Sequence, residues 1–142
     1  MQIDFVKELE TGVSWQDKQH KELLQRLSEF ATAIEEGEGL EKCLGLLNFL
    51  DEYVVVHFHE EEQAMHKYRY PDMVEHLELH TEFIDKLASL KERIGEGGSC
   101  EALTREIGAH VVDWFRKHII VKDKVLGRFI LSRSSSSVSR TF

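Results

Sequence analysis

The sequence predicts an all-α protein, an up-down-up-down antiparallel four-helix bundle preceded by an N-terminal arm. Three observations predict it. Apolar residues recur at three- and four-residue steps in four separate segments, the period of a helix with one buried face. Short glycine-containing turns separate the segments, and short connections make successive helices antiparallel neighbours. One proline, Pro71, stands in a chain rich in Leu, Glu and Lys, a composition that suits helices better than sheets.

Ser14 is placed to cap the first helix, with Gln16 and Asp17 in its first turn. Leu23, Leu24, Leu27, Phe30, Ala31 and Ile34 form its apolar face, and Gly37 ends it. The second helix is expected from about Leu40 to Lys67, with Leu47, Leu50, Val54, His57, Phe58, Glu61 and Met65 on one stripe. It stops before Tyr70 and Pro71, because a residue preceding proline avoids the helical region. The third starts near Pro71, buries Met73, His76, Leu77, His80, Phe83, Ile84, Leu87 and Leu90, and closes at the glycines from Gly95 to Gly98. The fourth follows Ser99 and turns Leu103, Ile107, Val111, Trp114, Phe115, His118 and Ile119 inward.

At 142 residues the chain suits one domain. The expected divisions are an arm over 1–13, the bundle over 14–131 and a serine-rich tail over 132–142, expected to be disordered. A net charge of −8 argues against a nucleic-acid partner and against adhesion to an anionic membrane. No stretch approaches the roughly 20 apolar residues of a membrane span, and the N-terminus lacks the pattern of a secretory signal. Cys43 and Cys100 are far apart and are expected as reduced thiols. A cytoplasmic protein is expected.

Eight histidines are well above ordinary usage, and histidine is the commonest metal ligand. His57 and Glu61 are four apart on the second helix, as are His76 and His80 on the third, a spacing that projects each pair from one face. His20 on the first helix and His118 on the fourth also fall within apolar stripes. A lone histidine on an apolar face is usually hydrogen-bonded core. Ligand types pointing inward from four helices are different, because a buried carboxylate such as Glu61 costs several kcal/mol without a cation. With Asp123, the set is five imidazoles and two carboxylates, too many for one ion and too rich in nitrogen for calcium or magnesium. It suits two first-row metals, with iron the expected pair. His59 and His66 lie about 200° and 180° round the helix from His57 and are expected in solvent. His110 is expected at a surface or boundary position.

These residues resemble the bacterial hemerythrins. The likeness rests on Gly12, Val13, Asp17, Gln19, His20 and Lys21, then His57-Phe58-x-x-Glu61-Glu62, Met65, Tyr70-Pro71, His76-x-x-x-His80, and Trp114-x-x-x-His118-Ile119 followed by Asp123. It covers about residues 5 to 126. The resemblance implies one iron held by His76, His80 and His118, a second held by His20 and His57, and Glu61, Asp123 and an oxo or hydroxo group bridging them. It implies reversible O2 binding at the open position of the second iron, for transport, storage or sensing, with O2 as the partner and no enzymatic role. The alternatives are a di-iron oxidoreductase handling peroxide or nitric oxide, and a redox- or iron-signalling module.

Phe58, Trp114, Phe115 and Ile119 are the expected walls of the O2 pocket over the His20–His57 iron. Three residues depart from the common pattern: Phe5 for Trp, Gln16 for a branched apolar residue, and Phe115 for Leu. A geometric expectation also follows. On a regular α-helix His118 and Asp123 would point about 140° apart, so for both to reach one centre a π-type widening, or an end to the helix after His118, is required.

Overall fold

The computed structural model describes residues 7–38, 40–95 and 113–139. A 3-10 turn, Lys7–Leu9, leads into α1 (Ser14–Glu35), followed by α2 (Leu40–Tyr68) and α3 (Met73–Gly95). The last rod is α-helical over 113–117, becomes a π-helix over His118–Asp123, and continues as α4 (Lys124–Ser139). No strand occurs among the described residues, and none of their helices is long and apolar enough to cross a membrane.

The helix ends follow local chemistry. Ser14 begins α1, and the Asp17 carboxylate reaches back to accept from the backbone N–H groups of Thr11 and Gly12 and from the Thr11 hydroxyl. This ties the arm to the helix start. At the other end Gly37 adopts φ 67°, and Glu38 N–H bonds to the Ala33 carbonyl, closing α1 as the glycine predicts. α2 closes in the same way on a less usual residue. Arg69 takes φ 54°, and Tyr70 N–H bonds to the Met65 carbonyl. Pro71 lies in the turn that follows, and α3 begins two residues later than expected.

The core falls into two apolar clusters. The larger contains Leu23, Leu27, Leu47, Val54, Phe58, Phe83, Leu87, Phe115 and Ile119. The smaller contains Val13, Met65, Tyr70, Leu126 and Ile130. Along α1 the chain passes from the small cluster at Val13 to the large one at Leu23, and along α2 it returns from Val54 to Met65. Along α3 it runs from Met73 to Phe83, and the last rod returns from Phe115 to Leu126. Four alternating passages make the up-down-up-down bundle. Each passage crosses a layer of buried polar residues: His20, then His57 and Glu61, then His76 and His80, then His118 and Asp123.

The π-helix lies where the geometry required it, and Lys124 N–H bonds five residues back to the Ile119 carbonyl. The serine-rich stretch from Ser132 is drawn as the end of α4, which runs to Ser139. No glycine or proline lies between Ser132 and Ser139, Ser132 bonds back to the Phe129 carbonyl, and the Ser134 hydroxyl meets the Tyr68 hydroxyl at 3.2 Å.

Candidate metal centre

All seven expected ligand side chains are buried in one layer. Ligand atoms of Glu61, His76, His80, His118 and Asp123 lie within 4.8 Å of one another, and so do those of His20, His57, Glu61 and Asp123. The two groups share Glu61 and Asp123 and nothing else. The Glu61 carboxylate divides between them: Oε1 faces His80 Nε2 at 3.1 Å and His76 Nε2 at 3.6 Å, while Oε2 faces His57 Nε2 at 3.5 Å and His20 Nε2 at 3.9 Å. Asp123 divides likewise, with Oδ1 at 2.9 Å from His118 Nε2 and 3.1 Å from His76 Nε2, and Oδ2 at 2.9 Å from His20 Nε2.

These contacts are close without being hydrogen bonds. The Nε2 atoms of all five histidines, Glu61 Oε1 and both Asp123 oxygens are buried with no hydrogen-bond partner. An orphaned buried polar atom costs about 1–3 kcal/mol, and so many in one layer are not sustained by packing. Lone pairs converging on common points, rather than on one another's protons, are what cations between them would satisfy. Two imidazoles and two carboxylates on one side, three imidazoles and the same carboxylates on the other, fit two metal ions with bridging carboxylates.

Neighbours hold the rings in place. Gln19 Oε1 meets His57 Nδ1 at 2.7 Å and accepts its proton, which leaves Nε2 free to face the carboxylates. Gln19 is itself held by donating to Glu60 at 3.0 Å. His80 stacks on Phe58 at 3.7 Å between centroids, and His118 stacks on Trp114 at 4.7 Å. Burial opposes ionisation of Glu61, and Asp123 opposes it further, yet His57, His76 and His80 hold its carboxyl below the usual range. Burial also opposes charge on His76, but the facing carboxylates of Asp123 and Glu61 outweigh it and push the imidazole up to about 9. Burial wins at His57, which falls to about 4.

Among the expected pocket residues, Phe115 faces both rings of the His20–His57 group, with ring centroids 6.3 and 6.5 Å away. Phe58 stands between the groups, 5.8 Å from His57 but flat against His80. Trp114 does not wall the His20–His57 side as expected: it lies flat between His118 and Phe83. Three residues before His118 the helix points Phe115 into the bundle, while Trp114, one residue earlier, stays half-buried beside α3. Ile119 is buried in the larger apolar cluster. His59 and His66 are exposed, as expected, while Phe5, Cys100 and His110 lie outside the described residues. Gln16 was legible only as a departure. It is fully buried and donates to Glu61 Oε2 at 2.7 Å, and its place four residues before His20 was the available signal.

A four-helix bundle with a belt of histidines and shared carboxylates across its core is a metal-binding bundle. Residues 11–130 match the model of the hemerythrin HHE cation binding domain, and the chain belongs to that family. It is also 30% identical over 121 residues to a bacteriohemerythrin of Methylococcus capsulatus, covering 84% of this chain and 89% of that protein.

Proposed function

We propose that this protein binds O2 reversibly at a pair of iron ions, as a carrier, store or sensor rather than an enzyme. The observation that carries the reading is the convergence of partnerless nitrogen and oxygen atoms into two groups sharing Glu61 and Asp123. In this reading His76, His80 and His118 hold one ion, His20 and His57 hold the other, and the two carboxylates join them. Nitrogen-rich donors with bridging carboxylates favour first-row metals such as iron. A pair of iron ions held there would supply reversible O2 binding.

The chain's own residues support that chemistry in three ways. The ion held by two imidazoles has fewer protein donors than its neighbour, so ligand binding belongs on that side. Phe115, fully buried against His20 and His57, keeps this side apolar and limits entry of water. Gln19 keeps His57 in the tautomer that presents Nε2. Turnover chemistry would call for an acid or base near the open side. Among the described residues, the buried ionisable group beyond the seven is Tyr70, whose ring lies 6.4 Å from that of His76, on the other side.

The test is direct. Metal analysis should give two irons per chain. The anaerobically reduced protein should gain a new absorption band in air and lose it under vacuum, over repeated cycles. One metal per chain, or a band that vacuum does not reverse, would sink the reading.

A further inference from the structure

Gln16 occupies an unusual place for an amide. It is fully buried, one helical turn before His20 on α1. Its Nε2 lies 2.7 Å from Glu61 Oε2 and, more distantly, 3.5 Å from the Asp123 carbonyl. An ionised carboxylate only accepts, so the donor end of the amide must face Glu61. The other end, Oε1, is buried with no partner. An apolar side chain of equal length would fill the same space without that cost, so packing does not account for an amide here. α4 leaves room for it: a Cβ on Gly127 would come within 3.2 Å of Gln16 Oε1.

The oxygen that receives the hydrogen bond is the one facing His20 and His57, while Oε1 of the same carboxylate faces His76 and His80. We propose that Gln16 is a positioning residue that tunes the metal pair by donating to the His20–His57 end of the shared Glu61 carboxylate. The proposal rests on the iron reading above. A donated hydrogen bond draws charge off the carboxylate, and a less negative ligand loses more of its stabilisation of the oxidised, more highly charged ions than of the reduced ones. Gln16 therefore raises the reduction potential of the pair and protects the reduced form in air.

The test compares the full chain, loaded with iron, with Gln16→Met and Gln16→Leu. Methionine keeps the length of the side chain and removes both amide atoms; leucine supplies a second apolar replacement. Both variants should stay folded and keep two irons, because losing the orphaned oxygen offsets losing the hydrogen bond to Glu61. Their preference for Fe2+ over Fe3+ should fall about tenfold, which lowers the midpoint of a one-electron couple by about 59 mV. Unchanged midpoints with the pair intact would assign Gln16 to packing and overturn the proposal. Loss of iron from both folded variants would also overturn it, since Gln16 would then secure the site rather than tune it. A parent that takes up no iron overturns the iron reading and this proposal together. Side-chain NMR of the metal-free chain gives a second readout: the Gln16 amide protons should exchange far more slowly than those of the exposed Gln25 and Gln63. Equal exchange would remove the hydrogen bond on which the proposal stands.

Discussion

His57 can offer Nε2 to the shared carboxylates because its Nδ1 is already engaged by Gln19. Replacing Gln19 with Leu should release that ring and weaken metal binding about 10- to 100-fold, measured by competition with a chelator. An unchanged affinity would show that packing alone orients His57. Phe115 is a similar case on the apolar side. Phe115→Ala should cost roughly 3–5 kcal/mol of stability and shorten the life of the oxygenated form, with metal content unchanged. If stopped-flow decay of the oxygenated band matches the parent, the ring packs the core without guarding the site. Gly127 allows a close approach instead of supplying a contact. A Cβ there would stand 2.9 Å from Thr11 Cβ and 3.2 Å from the Thr11 carbonyl oxygen, neither of which can swing aside. Gly127→Ala should destabilise the fold by about 1–3 kcal/mol, read from denaturant melts.

The π-helix over His118–Asp123 is the element on which the site depends most. His118 and Asp123 face each other at 2.9 Å only because one extra residue is accommodated in that turn. Inserting one alanine after Val121, an exposed residue within it, should swing the chain beyond by about 100°. Asp123 would leave the layer, or Leu126 and Ile130 would leave the core. Helix content by circular dichroism should hold while bound metal falls below two per chain. Retention of both metals would show that Asp123 is not needed to join them. The same rod continues as α4 to Ser139.

The bundle as a whole places seven ionisable groups where water does not reach, and its stability must follow what they bind. Ions that bind only the folded chain add about 2.7 kcal/mol at a hundred times their dissociation constant. Chelation should therefore lower the melting temperature, and re-addition should restore it. Protons act on the metal-free chain in opposite senses. His76, raised to about 9, contributes stability that is complete below its ordinary value near 6.5 and is lost as pH rises through about 9. His57, lowered to about 4, works the other way, and its contribution is lost as pH falls from about 6.5 towards 4. Because a metal must displace the proton on His76, metal affinity should keep rising with pH up to about 9. A plateau near pH 6.5 in a competition titration would contradict this.

Three periodic stripes and the described end of a fourth, the turn residues Gly37 and Pro71 and the inward histidines were legible in the sequence, because helical period and capping are local properties that spacing records. His20, His57, Glu61, His76, His80 and His118 could be placed on inward faces for the same reason. Even the widening after His118 followed from counting residues. Other features are set by neighbours distant in sequence. Which wall Trp114 serves depends on Phe83 of α3, against which it lies flat. That Gln16 reaches Glu61 depends on α1 and α2 meeting at one height, 45 residues apart in the chain. The room Gln16 occupies depends on a glycine of α4. Spacing along one helix says which way a side chain points. What it meets there is decided only when the helices pack, since contact is a property of the packed layer and not of any one strand of sequence.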